Sequence, residues 1–163
     1  MNLELPRIEN ARLLLDATRE SDFDGYASIV TSERGQWIGG PMSVDEAWLD
    51  FSQMIAGWVL RGFGALSIRP KGDDRYLGTV LVHHEHGDPE PELGWLLTAE
   101  AEGNGYAFEA GSAMLDWAFA STELQTLVSY IDPGNHRAIA LAARLGGTPE
   151  SGPDGVATLR YNR

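Results

Sequence analysis

The chain contains no cysteine, so disulfides and thiolate metal sites are excluded. That absence fits a reducing compartment, and the cytoplasm is the expected location. Basic residues are also scarce. Twelve Lys and Arg stand against 24 Asp and Glu, a formal net charge of −12. Nucleic-acid affinity comes mostly from neutralising phosphates, so this balance argues against a nucleic-acid partner. An acidic field attracts cations instead, protonated amines among them; the same charge also serves solubility alone. No apolar run approaches the length of a membrane span, so no membrane association is expected. Glu4, Arg7 and Glu9 interrupt the start, and no secretory signal pattern is present. Repeats, low-complexity tracts and long linkers are missing as well. What remains is 163 residues of ordinary composition, 43% hydrophobic and 22% charged, which predicts one domain over residues 1–163. The oligomeric expectation is a monomer or homodimer.

The periodicities give an order of elements. Arg12 to Asp16 reads as a short strand. Ser21 is placed to cap a helix with Phe23, Tyr26, Ala27 and Val30 on one face. Ser43 and Glu46 form a capping-box pair, opening a helix with Trp48, Phe51, Ile55, Trp58 and Val59 on one stripe and ending at Gly62 and Gly64. Ala65 to Ile68, Tyr76 to Val82 and Glu92 to Leu97 read as consecutive strands. Gly78, inside the second, signals a bulge or a close backbone approach. Tyr106, Ala110, Met114 and Trp117 recur at helical spacing, and Leu127 to Ile131 is a strand. Ala138, Leu141, Ala142 and Leu145 mark a late helix closed by Gly146 and Gly147, and Val156 to Arg160 is a last strand. This mixed order points to a three-layered α/β or α+β fold, a central sheet with helices on both faces.

Gly103, Asn104 and Gly105 lie between a strand and a helix. A helix N-terminus presents unpaired N–H groups and a partial positive charge. Glycines there let several N–H groups converge and keep Cβ atoms away from a phosphate. The stretch therefore reads as a phosphate cradle, and equally as a plain tight turn. A Walker loop would need Lys and Ser or Thr after the last glycine, where Tyr106 and Ala107 stand. A dinucleotide fingerprint would need a small residue at Phe108 and a glycine directly after the strand. Asp132 imitates the ribose-binding carboxylate of that fingerprint, but the rest does not fit.

The stretch "ELGWLLTAEAEGNGYAFEAGSAMLDWAF" resembles the acyl-CoA-binding motif of the GNAT superfamily of N-acetyltransferases, in particular the branch that acetylates ribosomal-protein N-termini. "YIDPGNHRAIALAARLGG" resembles the family's later motif, and "ENARLLLDATRESDFDGYASI" the branch's N-terminus, so the likeness covers nearly the whole chain. It implies a GNAT-like three-layer fold with a mostly antiparallel central sheet. It also implies acetyl-CoA as cosubstrate, with the pyrophosphate on backbone N–H groups of Gly103, Asn104, Gly105, Tyr106 and Ala107. The pantetheine arm would lie along Trp95, Leu96 and Leu97 in a gap between splayed strands, with Asn135 near its sulfur end. Trp37 and Ile38 fall where the family builds its acceptor pocket; core packing is the other reading for a tryptophan. The sequence departs from the family pattern at Glu102, a negative charge beside a phosphate site, at Ala138, a frequent serine, and at Ala142, where many relatives carry a tyrosine that could protonate the leaving thiolate.

Glu92 shares a strand face with Gly94 and Leu96, which makes it the candidate general base; a solvated strand-end carboxylate is the alternative. In "HHEH", His84 and His86 would share one face of a strand, but the run lacks helical ligand spacing and no metal site is expected. Asp73 and Asp74 read as a solvated loop. The expected activity is direct acetyl transfer to a primary amine, of a protein N-terminus or a small molecule, without a covalent enzyme intermediate. The rivals are a non-catalytic acyl-CoA-binding module of the same fold and a nucleotide-binding α/β protein.

Overall fold

A computed structural model describes residues 4–163, and in it eight strands form one sheet. The strands are β1 (Ile8–Glu9), β2 (Leu13–Ala17), β3 (Ala65–Pro70), β4 (Gly78–His83), β5 (Glu92–Leu97), β6 (Thr126–Ile131), β7 (Thr148–Glu150) and β8 (Ala157–Asn162). Their spatial order is β1-β2-β3-β4-β5-β6-β8-β7. Every neighbouring pair is antiparallel except β5 and β6, which run parallel. The described residues also form four α-helices: α1 (Phe23–Val30), α2 (Val44–Arg61), α3 (Tyr106–Ser121) and α4 (His136–Arg144).

Strand alternation sorts the core into two clusters on opposite faces. Leu66, Ile68, Val80, Val82 and Leu93 pack with Ala110, Met114 and Ala142 from α3 and α4. The intervening residues Ala65 and Leu81, joined by Leu96, pack with Tyr26, Ile29, Val30, Ala47, Phe51 and Met54 from α1 and α2. The fold is therefore the expected three-layered sandwich.

Ser43 and Glu46 form the anticipated capping box, each side chain accepting from the other's backbone N–H at 3.1 and 2.7 Å. Ser21 is not a cap. A short 3₁₀ turn, Glu20–Asp22, precedes α1, and the Asp22 carboxylate accepts the Arg19 N–H at 2.9 Å. The buried stripe of α2 is Ala47, Phe51, Met54 and Trp58, whereas Trp48 and Val59 are 43% and 54% exposed. That helix is apolar over a wider arc than its contacts with α1 and the sheet can cover. At Gly78, a Cβ would lie 2.1 Å from the Leu96 carbonyl oxygen, so the β4–β5 approach itself requires glycine. β1 and β7 are too short to show a period of two, so the sequence pattern does not reveal them.

Arg69 lies buried at the centre of an ion network that the sequence pattern does not reveal. Its guanidinium donates to Asp16 at 2.9 Å, to Asp22 at 2.7 Å and to the Asp74 carbonyl at 2.9 Å. Asp22 also accepts from the Ser67 hydroxyl at 2.7 Å. These bonds tie the β2–α1 connection to β3, on the face that carries α1 and α2.

Candidate active site

β4 and β5 share six aligned residue pairs, but β5 and β6 share a single one, Glu92↔Val128. Beyond it the two parallel strands part. Three contacts mark the fork. The Val128 N–H donates to the Pro91 carbonyl at 3.1 Å, the Ser129 hydroxyl to the Leu93 carbonyl at 2.7 Å, and the Tyr130 N–H to the Glu92 carboxylate at 3.4 Å. Past the one backbone bond, the Ser129 and Glu92 side chains replace the missing ladder.

A cavity of about 1030 Å³ opens from this fork. Strand alternation sends the backbone groups of odd-numbered β5 residues toward β6, as the Pro91 and Leu93 contacts show. The N–H and C=O of Trp95 therefore point into the gap. Those of Leu96 belong to the β4 side, where Leu96 pairs with Thr79. At the far end, Gly105 is the N-cap of α3 with φ 78°, and Gly103 has φ 77°. A Cβ on Gly103 would meet nothing within 4 Å, and one on Gly105 only the Arg12 guanidinium at 3.5 Å. The glycines are thus required by the left-handed backbone rather than by crowding inside the protein. Arg12 braces this turn from outside, donating to the Asn104 carbonyl at 2.9 Å and to the Glu109 carboxylate at 2.8 Å, with its guanidinium over the Tyr106 ring.

Glu92 sits at the fork, half-buried, its carboxyl pushed up to about 7. Burial is the main cause; the Tyr130 N–H opposes it, and the nearby Asp88 and Glu85 charges add to it. Facing it across the β4–β5 ladder is His83, which burial holds below the usual imidazole range. Asp50 joins this side from α2 and accepts the buried Tyr26 hydroxyl.

A family model for an acetyltransferase (GNAT) domain matches residues 12–148. The chain belongs to the GNAT acetyltransferase family. An acetyltransferase from Agrobacterium tumefaciens str. C58 is 35% identical, covers 100% of this chain and 98% of its own, and superposes with a TM-score of 0.94. RimL, a ribosomal L7/L12 alpha-N-protein acetyltransferase solved in complex with coenzyme A, shares the fold at 18% identity and a TM-score of 0.76, over 96% of this chain and 98% of its own. YkkB of Bacillus subtilis (strain 168) is 38% identical over 55 residues, 34% of this chain and 32% of that relative's length. Family membership makes this chain an N-acetyltransferase with acetyl-CoA as cosubstrate.

The residues singled out in this GNAT acetyltransferase converge on the cavity, with one exception. Trp37, Ile38, Glu92, Trp95, Leu96, Leu97, Gly103, Gly105, Tyr106, Ala107 and Asn135 all line it. Asn104 does not: its side chain turns back to the Ala101 and Glu102 carbonyls, at 3.2 and 3.0 Å. Leu96 contributes its side chain rather than its backbone, because strand parity directs its amide to β4. Asn135 caps α4, accepting the Ala138 N–H at 3.2 Å. Trp37 is not core. It is 41% exposed and stands over Gly134, where a Cβ would lie 3.4 Å from its ring. Ala142 is fully buried in the α4–sheet core, so no acid comes from that position.

His83 carries no signal in the sequence pattern, where His84 and His86 share a face of a strand that in fact ends at His83. His83, Asp88 and Glu92 bring an imidazole nitrogen and two carboxylate oxygens within 4.8 Å of one another, so these half-buried groups form one cluster. Arg34 and Arg137 are likewise unmarked in the sequence. They hold the two oxygens of Glu102, at 2.6 and 3.0 Å. Burial would raise the Glu102 carboxyl, but these bonds outweigh it and hold the group below its ordinary value. The charge that looked adverse beside a phosphate site is therefore neutralised locally. No spacing rule could have paired residues this far apart in the chain.

Proposed function

We propose that the chain transfers the acetyl group of acetyl-CoA directly to a primary amine, with Glu92 as the proton acceptor. The observation that carries this reading is the coincidence, in one cavity, of the forked strand edge at Trp95, the glycine turn at Gly103 to Ala107, and a half-buried carboxyl poised near neutrality. The pyrophosphate would lie against the N–H groups of the turn and the first residues of α3. The pantetheine arm would pair with the unladdered backbone of Trp95 and with the N–H of Leu97, whose carbonyl accepts from Arg34. Holding thioester and amine together supplies much of the rate in such transfers, and a free N–H at the fork can stabilise the developing oxyanion. Glu92 accepts the proton that the attacking amine must lose.

The acceptor enters over Trp37 and Ile38, on the α1–α2 face. Asp50, Glu85 and Glu92 line that side, and Asp88 lies beside His83. Among the described residues, none of these four pairs with Lys or Arg, whereas Asp16, Asp22, Glu90, Glu102 and Glu109 all do. This favours an acceptor that arrives as a cation. A protein N-terminus, as acetylated by RimL, and a small amine both satisfy this chemistry.

Thiol release from acetyl-CoA, measured with N-terminal peptides, amino acids and polyamines, tests the reading. We expect amine-dependent release with at least one class, and a Trp37→Ala variant whose KM rises for the amine much more than for acetyl-CoA. If no amine accelerates thiol release, the reading is wrong.

A further inference from the structure

The chain carries a net charge of −12, yet its proposed donor is a polyanion. Backbone N–H groups alone face that long-range repulsion, so the local cations near the glycine turn matter. Two of them converge from opposite lips of the cavity. Arg34 comes from the 3₁₀ turn Glu33–Ile38, between α1 and α2, and Arg137 from the first turn of α4. Between them lies the Glu102 carboxylate, directly before Gly103, with one oxygen on each guanidinium.

Arg34 does not depend on Glu102 for its position. Its Nη2 also donates to the Leu97 carbonyl at 2.8 Å, at the last residue of β5. Its Nε is buried and has no partner among the described residues, so the group retains unused donor capacity inside the cavity. A buried donor left unpaired costs about 1–3 kcal/mol and is normally satisfied by some acceptor. Arg137 is the opposite case: its side chain is 75% exposed, and among the described residues its guanidinium bonds only to Glu102. Glu102 is a third exposed, so its side chain has a path to solvent.

We propose that Glu102 is an internal stand-in for the donor's diphosphate: it occupies Arg34 and Arg137 in the free protein, and is displaced when those guanidiniums take the phosphoryl oxygens. This rests on the acetyl-CoA reading above. A diphosphate offers more acceptor oxygens than one carboxylate, and guanidinium forks match it in geometry. Arg34 Nε then gains its missing partner. Glu102 swings outward, away from the phosphates that would repel it. The site thereby discriminates by charge. A thioester without a diphosphate has nothing to exchange for Glu102, and leaves the bridge across the cavity in place.

The test compares wild type with Glu102→Gln, which keeps the shape and removes the charge. Calorimetric binding of coenzyme A and of pantetheine, which lacks the diphosphate, is measured on both. We expect Glu102→Gln to bind coenzyme A about tenfold more tightly, the low end of what hydrogen bonds to charged groups are worth. Pantetheine affinity should not change. In an Arg137→Gln background the gain should shrink to less than about threefold, since one of the two competed cations is gone. Equal or weaker coenzyme A binding by Glu102→Gln overturns the proposal, because Glu102 then only positions the arginines. An equal change for pantetheine also overturns it. Wild type that is folded but binds no coenzyme A overturns the donor assignment itself, a different failure from a wild type that binds and a variant that does not differ.

Discussion

Glu92 owes its properties to where β5 and β6 part. Its carboxylate takes the Tyr130 N–H at 3.4 Å, but burial and the Asp88 and Glu85 charges still push it up to about 7. As a base it must be ionised, so kcat should rise with pH through that value. Glu92→Gln should lose about 10²–10⁴-fold in kcat and abolish the acidic limb. A loss under tenfold with the limb intact would assign the proton to solvent. The same residue makes a stability prediction. A carboxyl raised in the folded state binds more protons there than in the unfolded chain. It favours folding below the unfolded value, near 4.5, and that contribution is lost as pH rises through about 7. Glu92→Gln should therefore be more stable relative to wild type at pH 8 than at pH 4, measured by denaturant unfolding. The reverse order would mean that the carboxylate is favourably held.

At the scale of elements, the turn from β5 into α3 is the critical one. Residues at Gly103 and Gly105 must adopt φ near +78°, and the helix that follows begins directly at Tyr106. Space is not the constraint, since an added Cβ would find room at both positions. A side chain there costs about 1–2 kcal/mol in a left-handed backbone, and relaxation of that strain would disperse the converging N–H groups. Gly105→Ala should accordingly lose about 1–2 kcal/mol by chemical denaturation and bind coenzyme A more weakly, while pantetheine binding changes little. Unaltered coenzyme A affinity in a folded Gly105→Ala variant would remove the turn from the donor site. Both glycines were legible in the sequence, because a strand, a glycine pair and a helical period follow one another without interruption. The conformation they serve was legible too, but the emptiness around them was not.

Across the whole molecule, the sheet and its two helical layers leave one large cavity at the fork. A ligand that binds only the folded state stabilises it by mass action. At 100 times its Kd, acetyl-CoA should add about 2.7 kcal/mol, which for a domain of this size is roughly 5–10 °C in Tm. NAD and ATP at matched concentration should shift the transition much less. An equal or larger shift with either would mean that the cavity does not select acetyl-CoA over other nucleotides. The charge distribution points the same way. Arg69, Arg12, Arg34, Arg137 and Arg160 each neutralise carboxylates near them, and the acceptor side of the cavity has no such partner among the described residues.

The sequence by itself determined the order of the six longer strands and the four helices, the shared face of Glu92, Gly94 and Leu96, the glycine turn and the grouping of most site residues. These depend on local rules: a period of two or 3.6, a cap, a left-handed glycine, a motif carried in one stretch. Only the tertiary structure decided what lies across from what. Strand parity and the fork separate Trp95 from Leu96; the Ala101 and Glu102 carbonyls turn the Asn104 side chain back, and the 3₁₀ turn Glu33–Ile38 brings Trp37 to the cavity wall. His83 faces Glu92 because β4 and β5 are in one particular register. Glu102 is neutralised because α4 and the α1–α2 connection deliver Arg137 and Arg34 to the same carboxylate, 35 and 68 residues away in the chain. Burial and long-range charge set the protonation of such groups, and neither is a property of a segment.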